Sequence, residues 1–376
     1  MLVLKLINNS WDESTKNLCF VNTSLQMLYS LPEVRSFFVN QHYKVNQDQS
    51  ANFKICNEVS RIFKSAGHFS ISAATLRLLV GCESQNEEIC NGSQQDITLF
   101  IRLLLQEIEK ELTELDGPNA LFINKFWGSE HVIRKFVNTS DGTCSRCGKL
   151  PRSENEDFNM LKLESLNTNQ SISLSTMIQN SFLEGAEIFK MKCSECCPHQ
   201  GGCPLTGNCQ PKNAVDHRLL NRTPYFLFIH LLRFSNFSNL KTKTHVVPEE
   251  ILTLPNGDTF KLVSIADHLG DQIGNGHYVT AIKKEQEWMI CDDDKQYHVR
   301  EPFSANNYVF LYYKSQTDNN LDILEKEKRN KSISTSMDYL SECPNCYEKI
   351  EDLQAHLEKS FICKQVLGLK KCKVIF

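Results

Sequence analysis

Cys19 lies in the run Lys16-Asn17-Leu18-Cys19-Phe20-Val21-Asn22-Thr23-Ser24-Leu25-Gln26, at the mouth of a predicted helix. Phe20, Val21, Leu25, Met27, Leu28 and Leu31 recur near helical spacing, and Pro32 marks the stop. A thiol at a helix N-terminus faces unpaired backbone N–H groups and the positive end of the dipole, and both favour the nucleophilic thiolate. Such a sulfur needs a base, and the base needs an orienter. Far downstream, Gly274-Asn275-Gly276 precedes His277, which opens a predicted strand at Tyr278. The glycines let backbone approach the histidine closely and leave room for a substrate chain. The next predicted strand ends in Asp292-Asp293-Asp294. A hairpin from Tyr278 to Asp292 returns an acid to His277, where Asp292 accepts from the imidazole N–H and fixes its tautomer. Taken singly, the cysteine reads as structural, the histidine as satisfied and the acids as a solvated turn. Together, in the order Cys…His…Asp, they predict a thiol-dependent hydrolase site.

The elements that must position these residues divide along the chain. Helices are predicted over Asn22–Ser30, Ala51–Lys64, Ala74–Leu79 and Gln95–Leu112. Strands are predicted over Phe260–Ile265, Tyr278–Ile282, Glu287–Cys291 and Tyr308–Tyr313. Tyr225–Phe234 is a near-continuous apolar run, as expected of a strand buried on both faces. Met1–Ile7 is apolar, too short for a signal peptide, and reads as an edge strand. Helices followed by strands predict an α+β fold.

The chain has 376 residues, enough for a large domain with an appendage. Its net charge of -4 argues against a nucleic-acid binder that works by bulk electrostatics. No apolar run reaches membrane-spanning length, so no membrane partner is expected. Residues 1–314 read as one catalytic domain, 315–340 as a charged, serine-rich linker and 341–376 as a compact Cys/His module.

Of the sixteen cysteines several stand in C-x-x-C pairs, and no export signal is visible. In a reducing compartment, cytoplasm or nucleus, that pattern points to metal sites and a reactive thiol rather than disulfides. Cys144, Cys147, Cys193 and Cys196 form two knuckles that supply four thiolates for one structural Zn2+. The alternative is a finger that kept its cysteines and lost the metal. Cys197, His199, Cys203, Cys209 and His217 lie close enough in sequence for a second zinc to be considered. In the C-terminal module, Cys343, Cys346, His356 and Cys363 have the spacing C-x2-C-x9-H-x6-C, with Ile350, Leu353 and Leu357 on one helical face. This predicts a small ββα-type module nucleated by zinc.

With these residues in place, the chain resembles the ubiquitin-specific proteases over about residues 10–314. Asn17-Leu18-Cys19-Phe20-Val21-Asn22-Thr23-Ser24-Leu25-Gln26 matches the family's cysteine box, and Gln94-Gln95-Asp96-Ile97-Thr98-Leu99-Phe100 its glutamine box. Phe126-Trp127-Gly128, Pro224, His230-Leu231-Leu232-Arg233-Phe234, His268-Leu269-Gly270, Gly276-His277-Tyr278, Trp288–Asp293 and Tyr308–Tyr313 follow in order. The resemblance implies a papain-like peptidase with fingers, palm and thumb, and a finger subdomain over about residues 140–222 that grips ubiquitin. It implies Cys19 as nucleophile, His277 as general base and acid, Asp292 as orienter and Asp293 in support. It also implies that Gln94, Gln95, Asp96, Gly276 and Tyr278 line the channel for the ubiquitin tail. The implied partner is ubiquitin or a ubiquitin-like protein, with its conjugates.

Four departures qualify the resemblance. Ser14 stands where the family has the asparagine that helps hold the oxyanion. Lys16 and Leu18 replace glycine and threonine, and Leu99 replaces the glutamate of the glutamine box. They keep open a protease for a modifier such as SUMO, or a catalytically weak ubiquitin-binding scaffold. The C-terminal module is similar to a C2HC ubiquitin-binding finger. Its basic end, Lys370, Lys371 and Lys373, leaves nucleic-acid binding as the alternative.

Overall fold

The computed structural model describes residues 3–8, 16–44, 53–113, 132–139, 154–157, 160–164, 170–183, 188–191, 212–234, 241–272 and 274–315. The linker, the C-terminal module with Cys343, Cys346, His356 and Cys363, Ser14, and the knuckle cysteines Cys144, Cys147, Cys193 and Cys196 lie outside the described residues.

The helices come first. They are α1 (Cys19–Ser30), α2 (Pro32–Val39), α3 (Lys54–Lys64), α4 (Ala74–Glu83), α5 (Glu87–Cys90) and α6 (Ile97–Thr113), with α7 (Leu174–Leu183) further on. Between and after them run β1 (Leu6–Ile7), β2 (Ile71–Ser72), β3 (Val132–Thr139), β4 (Glu154–Asp157), β5 (Leu161–Glu164), β6 (Ile172–Ser173), β7 (Ile188–Met191) and β8 (Lys212–Arg222). The C-terminal part adds β9 (Phe226–Leu232), β10 (Val246–Val247), β11 (Ile251–Thr253), β12 (Thr259–Gln272), β13 (Asn275–Lys284), β14 (Glu287–Asp292), β15 (Lys295–Val299) and β16 (Asn307–Lys314).

The main sheet has the order β15-β14-β13-β12-β16-β9-β5, with β11 alongside the start of β12. Every pairing in it is antiparallel except β5 with β9. The helices and the sheet share one core. Phe226, Phe228, Tyr278, Tyr308, Val309 and Leu311 face the helical half. Leu227, Ile229, Val279, Ala281, Phe310 and Tyr312 face the other side. β9 is therefore buried on both faces, as its unbroken apolar run predicts. The fold is α+β.

Helix α1 is the centrepiece. All twelve of its residues are buried, which a surface helix never shows. Several of its polar side chains bond the helix itself or nearby backbone, while Asn22 Oδ1 has no partner among the described residues. Ser24 Oγ donates to the Phe20 carbonyl at 2.7 Å, and the Gln26 amide exchanges hydrogen bonds with the Leu4 backbone. Thr280 Oγ1 on β13 donates to the Thr23 carbonyl at 3.3 Å. α1 stops where Pro32 begins α2, because a proline at N1 can start a helix but not extend one.

Two segments differ from the sequence expectation. Met1–Ile7 contributes only Leu6–Ile7 as a strand, paired in parallel with β2 outside the main sheet. Pro32 both ends one helix and opens another, α2, which the apolar pattern does not announce. A separate four-stranded sheet, β4-β3-β8-β7, spans the stretch expected to form the fingers.

Candidate functional site

Cys19 is the first residue of α1, and its sulfur is buried. Among the described residues no side chain caps the N-terminus of this helix, and its first turn carries no acid. The leading N–H groups of a helix have no intrahelical partner and point toward a negative charge at its mouth, here beside the sulfur. Asn17, two residues earlier, sits in the left-handed region at φ 53, a conformation asparagine tolerates. Asn17 Nδ2 donates to the Gly92 carbonyl at 3.0 Å, tying the approach to Cys19 to the loop before Gln94. The Gln94 carboxamide then lies against the nucleophile, with Nε2 3.4 Å and Oε1 3.5 Å from Cys19 Sγ.

The base and its orienter come from one hairpin. β13 and β14 run antiparallel with Thr280 opposite Cys291, so His277 and Asp292 meet at the open end. His277 Nε2 lies 2.6 Å from Asp292 Oδ1 and 4.0 Å from Asp293 Oδ2. That bond leaves Nδ1 as the nitrogen available to the thiol, and the neighbouring Cys19 sulfur acts on the same imidazole. The imidazole is pushed up to about 9, first by Cys19, against burial, and then by Asp292. Around neutral pH it holds a proton between a sulfur and a carboxylate. The arrangement can deliver a thiolate to a carbonyl and a proton to a leaving amine.

Asp293 occupies the turn after β14 with φ 54. Its carboxylate accepts from Asn8 Nδ2 and Asn22 Nδ2, each at 2.8 Å. Burial pushes the Asp293 carboxyl up, while these two amides and His277 pull it back down. Asn8 had no sequence signal beyond its type, and Asn22 lay inside the cysteine box without an assigned role.

The residues expected along the tail channel separate. Gln94 touches the sulfur itself. Gln95 is half-buried, with Nε2 donating to Ser93 Oγ at 2.9 Å. Asp96 caps α6 by accepting from the Thr98 and Leu99 N–H groups, and its other oxygen accepts from the Tyr308 hydroxyl. Tyr278 is fully buried, its ring 4.7 Å from that of His268.

Gly276 lies flat on His268. A Cβ there would fall 2.5 Å from His268 Nε2 and 2.8 Å from the Leu269 carbonyl oxygen. The close approach that the glycines predict is thus to His268 rather than to His277, and Gly274 has nothing within 4 Å. Beneath this strand the buried rings of His230 and His268 have no hydrogen-bond partner on either nitrogen among the described residues. Burial lowers both to about 4, so they are neutral at pH 7.

The model of the ubiquitin carboxyl-terminal hydrolase family matches residues 12–312. The chain belongs to this family. It is accordingly a cysteine-peptidase deubiquitinase. Ubiquitin carboxyl-terminal hydrolase 4 of Arabidopsis thaliana is 25% identical over 360 residues, covering 83% of this chain and 91% of the plant protein. Ubiquitin carboxyl-terminal hydrolase 12 of Salmo salar is 25% identical over 310 residues, covering 74% of this chain and 78% of its own. Among solved structures, the Ubp8/Sgf11/Sus1/Sgf73 deubiquitinating module of SAGA bound to ubiquitin aldehyde has a TM-score of 0.62 at 18% identity, over 84% of this chain and 70% of that one. The same module bound to monoubiquitin gives a TM-score of 0.62 over 84% and 69%. These structures share the fold. No helix among the described residues is long and apolar enough to cross a membrane.

Proposed function

We propose that this deubiquitinase hydrolyses the isopeptide bond after the C-terminal glycine of ubiquitin, with Cys19 as nucleophile, His277 as base and acid, and Asp292 as orienter. The observation that carries the assignment is the imidazole of His277, which bonds Asp292 and whose basicity is raised first by Cys19. Cys19 Sγ attacks the glycine carbonyl carbon, and the thiol proton resides on His277. The carbonyl oxygen, now negative, meets the uncapped N–H groups of the first turn of α1 and the Gln94 carboxamide. His277 then gives its proton to the lysine amine as the C–N bond breaks. Water, losing a proton to His277, attacks the thioester and frees the modifier.

Leu99 packs against the helical core, so its replacement of an acid is a packing feature. Nothing at this position favours a different modifier.

A structural Zn2+ held by Cys144, Cys147, Cys193 and Cys196 fits the finger backbone. In its sheet Thr139 at the end of β3 pairs with Ala214, which pairs with Phe189 near the end of β7. The chain therefore leaves for both knuckles from the same end of the sheet. Four thiolates are a donor set suited to zinc, which would fix the fingers and take no part in the chemistry. The module of Cys343, Cys346, His356 and Cys363 would hold a second Zn2+ and bind ubiquitin conjugates. Among the described residues Cys19, Cys56, Cys82, Cys90 and Cys291 are free thiols, which supports cytoplasm or nucleus.

Turnover of a ubiquitin C-terminal amide coupled to a fluorogenic amine tests the assignment. The full chain should release the fluorophore and C19A should not. Equal turnover by C19A would refute the nucleophile.

A further inference from the structure

We propose that Cys82 and Cys90 form a dithiol modification site, which closes to a disulfide on exchange with glutathione disulfide and thereby slows Cys19. The effect on Cys19 rests on its reading as the nucleophile. The dithiol itself stands on α4, α5 and their connection.

Cys82 lies in the last turn of α4, and Cys90 ends α5. Both are free thiols, Cys82 exposed and Cys90 half-buried. The connection between the two helices is tight. The Asn86 N–H donates to the Gly81 carbonyl at 2.8 Å, and the Gln85 N–H to the Cys82 carbonyl at 3.1 Å. Gln85 takes the left-handed region at φ 53, and Asn86 Oδ1 caps α5 by accepting from the Ile89 N–H at 3.1 Å. The chain thus doubles back and lays Cys90 on the end of α4. Gly81 permits this, because a Cβ there would run into Cys90 Sγ. The Cys90 sulfur therefore rests over bare backbone one residue before Cys82. The two thiols act on one another: burial and then Cys82 push the Cys90 thiol up, while Arg77 pulls it down. Both line an open surface pocket of about 370 Å³, with Gln85, Asn86, Glu87 and Asn91 around them. A small disulfide can reach either sulfur there. Cys56 and Cys291 are buried, and burial pushes both thiols up, Cys291 to about 12, so they stay outside the exchange.

The exposed Cys82 reacts first. As thiolate it attacks one sulfur of glutathione disulfide, the S–S bond breaks, and one glutathione leaves and takes up a proton. Cys90, deprotonated in turn, attacks the Cys82 sulfur and expels the second glutathione. Two cysteines are oxidised by two electrons, one glutathione disulfide is reduced to two thiols, and the cysteine protons end on them. The second step is intramolecular, which favours it over release of the mixed disulfide.

The dithiol is joined to the nucleophile on two sides. Just after Cys90, the Gly92 carbonyl accepts from Asn17 Nδ2, and Gln94 touches Cys19 Sγ. From α4, the buried Arg77 acts on Cys90 and donates from Nη1 to the Lys16 carbonyl at 3.3 Å. Drawing Cys90 into a bond with Cys82 shifts the start of the segment that carries Gly92 and Gln94, and it removes the thiol that faces Arg77. Both holds on the approach to Cys19 are disturbed together.

In the test, the full chain and C82S are equilibrated with glutathione and rising glutathione disulfide, freed of reagent and mapped by peptide mass. The expected map shows a Cys82–Cys90 disulfide that dithiothreitol removes. Cys19 is then read without ubiquitin, by its rate of alkylation with iodoacetamide, and with ubiquitin, by turnover of the fluorogenic amide. Both should fall about five-fold in the oxidised full chain and return with dithiothreitol. C82S, altered at an exposed side chain, should match the reduced full chain before oxidation and resist the loss after it. Glutathione captured by Cys19 itself slows both proteins alike, so the difference between them reads the disulfide. Absence of the Cys82–Cys90 disulfide in the folded chain, or an equal loss in C82S, overturns the proposal. A chain that forms the disulfide and slows alkylation but turns over no ubiquitin amide would sink the proposed function and leave this site standing.

Discussion

His277 Nε2 and Asp292 Oδ1 stand 2.6 Å apart at the open end of the β13–β14 hairpin. This bond orients the ring so that its other nitrogen faces Cys19, and it helps raise the imidazole to about 9. D292N should therefore lower kcat by roughly two to four orders of magnitude with little change in KM. It should also move the alkaline limb of kcat/KM from near 9 to lower pH. Asp293, 4.0 Å from the same nitrogen, keeps the loss smaller than that of H277A. Initial rates against pH for the three proteins check both statements.

The buried rings of His230 and His268 make a second pH prediction. Both are lowered to about 4 in the folded protein, against about 6.5 unfolded. Between these values the unfolded chain binds protons that the folded chain refuses, so stability falls as pH drops from about 6.5 toward 4. His277 acts in the opposite sense: raised to about 9, it contributes stability below about 6.5 that is lost as pH climbs through 9. Urea midpoints should peak near neutrality, and H230F should flatten the acid side. An acid limb identical in H230F would assign the loss to other groups.

Gly276 offers a steric test. A Cβ at this position meets His268 Nε2 at 2.5 Å and the Leu269 carbonyl at 2.8 Å, so G276A must shift the β13 backbone one residue before His277. Turnover should fall by about ten-fold or more, mostly in KM. H268A, by removing one of the two obstacles, should restore part of it. Steady-state constants of the single and double variants check the contact.

The fingers lend themselves to metal analysis. The full chain should carry about two zinc ions, one in the fingers and one in the C-terminal module. C144S/C193S and C343S/C346S should each lose about one. The finger variant should lose ubiquitin affinity while Cys19 still alkylates, because the strands that precede the knuckles, β3 and β7, belong to a sheet separate from the one that carries His277. Elemental analysis of the dialysed proteins measures this.

The sequence declared the reacting groups because their types are rare in such company and their order is fixed. It also declared β9, whose unbroken apolar run allows only burial on both faces, and α1, α3, α4 and α6, whose apolar spacing is helical. Asn8 and Asn22 were invisible because an asparagine bonded across the fold looks like any other asparagine until the fold brings Asp293 to it. Asp96 illustrates the same limit. Its place before Ile97 is a local capping signal, but its bond to the Tyr308 hydroxyl spans the chain and has no local trace. At Gly276 the sequence predicted a close backbone approach to His277, yet the ring that a Cβ there would meet is His268, brought there by strand register.

The most direct test of the account is reaction of the full chain with a ubiquitin whose C-terminus carries a thiol-reactive electrophile, run beside matched SUMO and other modifier probes. The account predicts one covalent adduct with the ubiquitin probe, mapped to Cys19 by peptide mass, absent in C19A and slowed in D292N. No adduct on folded, zinc-loaded protein, or an adduct on another cysteine, would contradict it.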